Sequence, residues 1–456
     1  MKQKHIWLSL ISGLLLTMSS CNKYLDVKPK GVQLLVTVTD YDQWLNASNL
    51  DASMPIELNN MGDNVDDPNI PNPPVLSTDL AYIWAAQLSP NVNGQAWILP
   101  NHYTSIYYFN TVIQDVDGAT GGTSQQKASL KAEAMLGRAL EYLYLVNEYG
   151  KVYNATTAAT DLAVPFVTSN DLATPTPPRS TVQQIYDQVI ADITAAIPNL
   201  PADNSKNRYR GTVAAGYSVL ARTYLYMGNY PLAQKNAQLA LDNGPNVVQD
   251  YNAINDPTGI LALTVRPDAI YARLAAAFVN TQIPTLSFLQ SFDPNDIRLQ
   301  AYYTPLGSFL VRGVTLYQPS GVGASTAYPN WGTSVAEMRL IIAEAAARGG
   351  DLTTALQQLD AVRKCRIVSS AYQAYQSSNA ADVLQKVLAE RGFEFPYCGM
   401  RWFDMRRLDA ENMMPTVIRY DANNNVIATL PPGSPRYTLQ IPIQAIYFNP
   451  GMPQNP

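Results

Sequence analysis

The sequence predicts a mostly α-helical protein, a tetratricopeptide-like scaffold of helix pairs that carries long irregular loops. Three observations predict it. Apolar residues recur with helical period from about Asn101 onward. The stretch AAGYSVLARTYLYMGNYPLAQKNAQLALDNGP, residues 214–245, reads as two helices joined by a tight turn, and a weaker copy of it follows downstream. Proline- and asparagine-rich segments too long for simple connections separate the helices.

Taken in order, the chain opens with Lys2 and Lys4, then an apolar run over 6–18 that is too short to remain as a membrane-spanning helix. Ser19 and Ser20 lead directly into Cys21. A leader that ends on a cysteine resembles a bacterial lipoprotein signal. Residues 1–20 are therefore expected to be a signal peptide and Cys21 the lipidation site. Each buried acyl methylene contributes about 0.8 kcal/mol, so a multiply acylated cysteine tethers the 21–456 domain to a membrane without threading it through. MGDNVDDPNIPNPPVLSTDL, 61–80, is the first long loop. Helical spacing resumes over 131–150 and again after Ser180 or Thr181, either of which suits an N-cap, and Pro198 and Pro201 end that helix. In 214–245, Leu220, Ala221 and Tyr224 share a face, Gly228 permits the turn, and Ala233, Ala240 and Leu241 form the second stripe. Gly350, Leu352 and Ala355 repeat the spacing of Gly228, Tyr230 and Ala233, and 381–395 adds another amphipathic helix. Helix pairs that stack on their neighbours need no single central core. Further loops fall at 168–179 and 302–331.

Composition narrows the function. With 47% hydrophobic and 15% charged residues the chain is globular, and a formal charge of −5 disfavours nucleic acid as a partner. Of two histidines, His5 lies in the leader, which leaves His102 and disfavours a histidine-built zinc site or a Ser-His-Asp triad. Cys365 and Cys398 read as buried thiols, with a disulfide left open. Gly121-Gly122 lacks the strand–helix context of a phosphate loop. Asp63, Asp66 and Asp67 lack the glycine and distal glutamate of a calcium loop. No metal and no cofactor are expected.

One stretch looks catalytic. RGFEFPYCGMRWFDMRRLD, 391–409, packs four arginines, one glutamate, two aspartates and five aromatics together. Paired acids and bases could be drawn from it. The spacing instead places charges on shared helix faces with Trp402 and Phe403 turned inward, arginine stems lying on rings and each head meeting a carboxylate. The expectation is scaffold, and no enzyme.

The same residues carry a family resemblance. Glu390, Arg391, Glu394, Phe395, Gly399, Arg401, Trp402, Phe403, Asp404 and Arg407 are similar to a signature of the SusD/RagB family. YLDVKPKG after Cys21, AEAMLGRALEYLYLVNEYG, FDPNDIR and the terminal LQIPIQAIYFNPGMPQNP match other family patterns in the right order. Cys398, Met135 and Ala445 depart from it. The resemblance implies a nutrient-binding lipoprotein of the Bacteroidetes outer membrane, facing outward. It also implies a partner, a SusC-like TonB-dependent transporter over which it sits as lid and substrate receptor. The ligand implied is a glycan or oligosaccharide, with an oligopeptide as the alternative. The rival classes are an extracytoplasmic glycoside hydrolase working with two loop carboxylates and a protein–protein adaptor using the repeat surface.

Sugar rings stack on exposed aromatics flanked by polar side chains. Aromatics in aperiodic context are therefore the expected ligand contacts: Trp97 in NGQAWILPN, and Tyr328 and Trp331 in AYPNWGTS, with Asn64 and Asp66 as polar partners.

Overall fold

The computed structural model describes residues 35–67, 69–94, 96, 99–254, 263–275, 283–311, 314–319 and 329–456. Cys21, Trp97 and Tyr328 lie outside the described residues. The fold is a stack of helices, and the only sheets among the described residues are two-stranded.

The helices begin and end where their caps require. Ser124–Tyr149 is the longest, 26 residues, opened by Thr123 and Gln126 in a reciprocal capping box. Val182–Ala196 opens the same way on Thr181 and Gln184, and a short 3-10 turn containing Pro198 follows it. Thr212 caps Val213–Tyr226 and Asn229 caps Tyr230–Asp242. The downstream copy, Val335–Arg348 and Leu352–Arg363, is capped by Ser334 and Asp351.

The two turns superimpose in their torsions. Gly228 has φ +69° and Gly350 φ +82°, a region that glycine enters without a side-chain clash. The next residue sits at φ −88°, ψ 74° for Asn229 and φ −83°, ψ 78° for Asp351. Each closes the first helix with an N–H donated to a carbonyl at 2.9 Å, Tyr224 O and Ala346 O, while its side chain caps the second helix. Past each turn Ala233 and Ala355 are buried, small enough for the paired helices to close.

Tyr230–Asp242 then packs directly on Val335–Arg348, so the second pair stacks on the first although the whole of 243–334 intervenes in sequence. That insertion supplies strands Ala269–Tyr271, paired with Thr333–Ser334, and Ile283–Pro284, paired antiparallel with Val65–Asp66. Stacked helix pairs can do without a single central core. Here one contiguous apolar cluster runs from Met54 through Ser124–Tyr149 and both helix pairs to Ile441. The long helix has neighbours on every side, and its residues from Glu141 to Tyr149 are all buried.

A buried histidine locks this helix in place. His102, on Leu99–Asp115, sits 2.6 Å from Glu141 and 3.3 Å from Glu148. Burial alone would lower its pKa; the Glu148 and Glu141 carboxylates outweigh burial and push it up to about 10, so it stays protonated at neutral pH. Among the described residues Cys365 and Cys398 are free thiols; Cys398 is buried, which pushes its pKa up to about 12, and Cys365 is half-buried.

Candidate functional site

The catalytic-looking stretch forms the end of Ala380–Glu394, a left-handed turn at Gly399, and Met400–Ala410. Its charges are spent inside the protein. Arg391 and Arg407 both donate to Asp404, and Arg407 also reaches Glu344 on the downstream helix pair. Burial would raise the Asp404 pKa, but the two guanidiniums outweigh it and hold that carboxyl well below the usual carboxylate range. Arg298, from FDPNDIR, gathers Asp296, Glu390 and Glu394 at 2.6, 2.7 and 2.9 Å, and Arg366 takes the other face of Glu394. Trp402 is fully buried and stacks on Tyr437 with centroids 5.4 Å apart. This is a helix-packing junction. The sequence reading of scaffold holds for the geometry, with one difference: most of the partners lie on other elements rather than one helical turn away.

A cleft of about 650 Å³ opens beside the far end of this junction, between loop 62–67, strand Ile283–Pro284 with the helix that follows, and strand Val417–Tyr420. Arg401 reaches into its wall and holds Asp63 with two bonds of 2.6 Å. Burial opposes ionisation of Asp63, yet the Arg401 guanidinium outweighs it and keeps the carboxyl below its ordinary pKa.

The cleft floor is Arg419. This strand alternates, with Val417 and Arg419 inward and Ile418 exposed, so an arginine occupies an apolar position. It is tolerated because its N–H groups donate to four carbonyls, Asn60, Gly62, Val65 and Tyr82, at 3.0, 2.6, 2.7 and 3.0 Å. The guanidinium also lies 4.3 Å over the Tyr82 ring and 4.5 Å from Trp84. One side chain thus fixes the whole 60–66 loop. Above it, Tyr82 donates its hydroxyl to Asp66 Oδ1 at 2.8 Å. Leu286, Ile418, Tyr420, Ser287 and Gln290 form the rim, with Leu286 and Ile418 each 40% exposed. The result is a preorganised loop presenting a carboxylate between apolar and tyrosine surfaces.

Of the expected contacts, Asp66 lines this cleft, half-buried. Asn64 is adjacent but turned in: its carbonyl accepts from Thr285 N at 3.0 Å, and its side chain folds over Gly62. Trp331 has to be corrected. It is 1% exposed and packs against Gly399, where a Cβ would stand 2.2 Å from the indole. Its carbonyl accepts from the Tyr144 hydroxyl and from Arg222 at 3.1 Å. It seals the seam in front of Val335–Arg348 and has no open face for a ligand. The sequence reading missed Tyr82, Arg419, Tyr420 and Leu286. The signal for Arg419 was present, an arginine in register with inward valine in TVIRYD.

Among the described residues no group of three His, Cys, Asp or Glu is placed to hold a metal, and no helix is long and apolar enough to cross a membrane. The fold and site define a helical binding scaffold whose inserted loops shape a surface cleft. A family model described as "starch-binding associating with outer membrane" matches residues 23–225, and the SusD family model matches 288–456. The chain belongs to the SusD/RagB family. A SusD superfamily protein from Bacteroides thetaiotaomicron shares its fold with TM-score 0.75 and 21% identity over 92% of this chain and 100% of that one. A structure described as a putative sugar binding protein from Bacteroides vulgatus matches at TM-score 0.73 and 21% identity, covering 93% of this chain and 99% of its own. A SusD-like carbohydrate binding protein from the same species matches at 0.69 and 16% identity over 91% and 96%. A comparison with curated proteins finds no match.

Proposed function

We propose that this protein is a cell-surface glycan-binding lipoprotein, anchored through Cys21 in the outer membrane, that serves as substrate receptor and lid of a SusC-like TonB-dependent transporter. The observation that carries the reading is the cleft at Asp66 on a scaffold shared, almost end to end, with proteins described as sugar- or carbohydrate-binding. The chemistry of the cleft suits a saccharide: Asp66 accepts hydroxyls, and Tyr420 with Ile418 and Leu286 offers apolar surface to sugar C–H faces. Trp97 and Tyr328 are proposed as further stacking residues.

The hydrolase reading is disfavoured by the state of one cleft carboxylate, Asp63. Asp63 is held ionised by Arg401, which suits a fixed acceptor and not the raised-pKa acid that glycoside hydrolysis requires.

Calorimetric titration with neutral oligosaccharides tests the proposal. Asp66→Ala and Tyr420→Ala should each weaken binding by about 1–3 kcal/mol when titrated well below the melting range of the variant. Unaltered affinity in both variants removes this cleft from consideration. Release of reducing ends would restore the enzyme class, and binding of peptides alone would change the substrate class.

A further inference from the structure

A second cleft, of about 770 Å³, opens where the turn after Val213–Tyr226, the end of Met400–Ala410 and the last residues of the chain meet. It shares no lining residue with the first. Arg401 belongs to one end of Met400–Ala410 and Asp409 to the other, about 12 Å apart along the helix axis. Its volume falls within the range of small-ligand pockets, about 300–1,000 Å³.

The charged side chains on its walls are already engaged. Lys151 holds Asp161 at 2.7 Å, and Glu411 takes Arg348 at 2.8 Å and the Tyr230 hydroxyl. Asp409 accepts the Gly433 N–H with its two oxygens at 3.0 and 3.1 Å, and Arg407 lies between Glu344 and Asp404. Arg179 is buried, and its guanidinium donates to four neutral oxygens, those of Ala163, Leu162, Pro453 and Asn455, at 2.7, 3.2, 2.8 and 2.6 Å. A charged ligand would have to share these groups with partners already in place. An uncharged one meets half-buried tyrosine rings, Tyr153 and Tyr230, and the exposed polar side chains of Asn154, Thr157 and Thr160.

Both rings are fixed before any ligand arrives. The Tyr153 hydroxyl donates to Gln183 at 2.9 Å and its ring packs edge-on against Tyr186. The Tyr230 ring lies under the Arg348 guanidinium at 4.3 Å. Preorganised rings beside hydroxyl and amide groups lose little freedom on binding. We propose that this cleft is a second saccharide-binding site, one that takes an uncharged oligosaccharide segment independently of the cleft at Asp66. The proposal goes beyond the function above, since it needs neither Asp66 nor Tyr420.

Met227 lines this cleft and no methionine lines the other, so methionine-methyl NMR on the 21–456 chain reads it directly. The probes are maltohexaose, cellohexaose, xylohexaose and mannohexaose, with an uncharged hexapeptide as control. At least one sugar should shift the Met227 methyl resonance saturably. Thr160→Trp and Ala410→Trp, each filling the cleft from an exposed wall position, should abolish that shift with melting unchanged. Tyr420→Ala should leave it intact, which separates this site from the first. A Met227 resonance that stays still with every sugar, or a shift that survives both filled variants, overturns the proposal. A shift with the peptide and none with sugars overturns the ligand class.

Discussion

Removing the Trp402 ring tests whether the arginine-rich stretch is scaffold. The side chain is fully buried, stacked on Tyr437 and set in the helix that carries the ion pairs. A buried tryptophan hides about 150–250 Å². At about 25 cal/mol per Å² that area is worth about 4–6 kcal/mol, part of which alanine retains. The indole N–H finds no acceptor in the structure, so its removal gives back a fraction of the loss. Trp402→Ala should therefore destabilise by about 3–5 kcal/mol, a drop in melting temperature of about 3–5 °C for a chain of this size. Trp402→Phe keeps a ring against Tyr437 and removes the unpartnered donor, so it should lose less than about 2 kcal/mol. Thermal melts of both variants, run beside glycan titrations, decide the matter. A Trp402→Ala protein that melts like the wild type but no longer binds sugar would show that a binding site had been mistaken for scaffold.

Other predictions follow from the same contacts. Trp331→Ala should lower stability as Trp402→Ala does, by about 3–5 kcal/mol, and glycan affinity of the folded fraction should be unchanged in titrations below the melting range. Asp404, Glu344 and Glu394 have pKa values held below their unfolded ones by arginines, so their ionised forms stabilise the fold above about pH 4 and that stability is lost as pH falls further. Denaturant midpoints at pH 7 and pH 3 should accordingly differ less for Asp404→Asn than for the wild type. Gly350→Ala meets no neighbouring atom, so its penalty is purely the positive φ, about 1–2 kcal/mol in a urea titration. Intact mass of membrane-extracted protein should show acyl groups on Cys21, and Cys21→Ser should release the chain from membranes.

How far the sequence could be read depended on whether a signal was local. Gly228 and Gly350, Thr181 at its helix start and the alanines past each turn are local requirements, and the structure places all of them as expected. Paired charges were legible as scaffold, but their partners were not: Arg407 finds Glu344 and Arg298 finds Glu394 only when distant helices meet. Trp331 failed for the opposite reason. Irregular surroundings were equated with exposure, yet the indole is covered by Gly399, nearly seventy residues further on. Asp66 reaches the cleft wall from a loop the sequence marks as irregular, whereas Tyr82 and Arg419 form the cleft through a contact between residues 337 positions apart.

The direct stacking of Tyr230–Asp242 on Val335–Arg348 has a consequence for synthesis. Ala233, Ala237, Ala240 and Leu241 are buried in the finished protein, but the helix that helps cover them is translated only after the whole of 243–334. At about 5–20 residues per second, that apolar stripe stays uncovered for roughly 5–20 s. During that interval the nascent chain offers an adhesive surface to chaperones and to other chains alike.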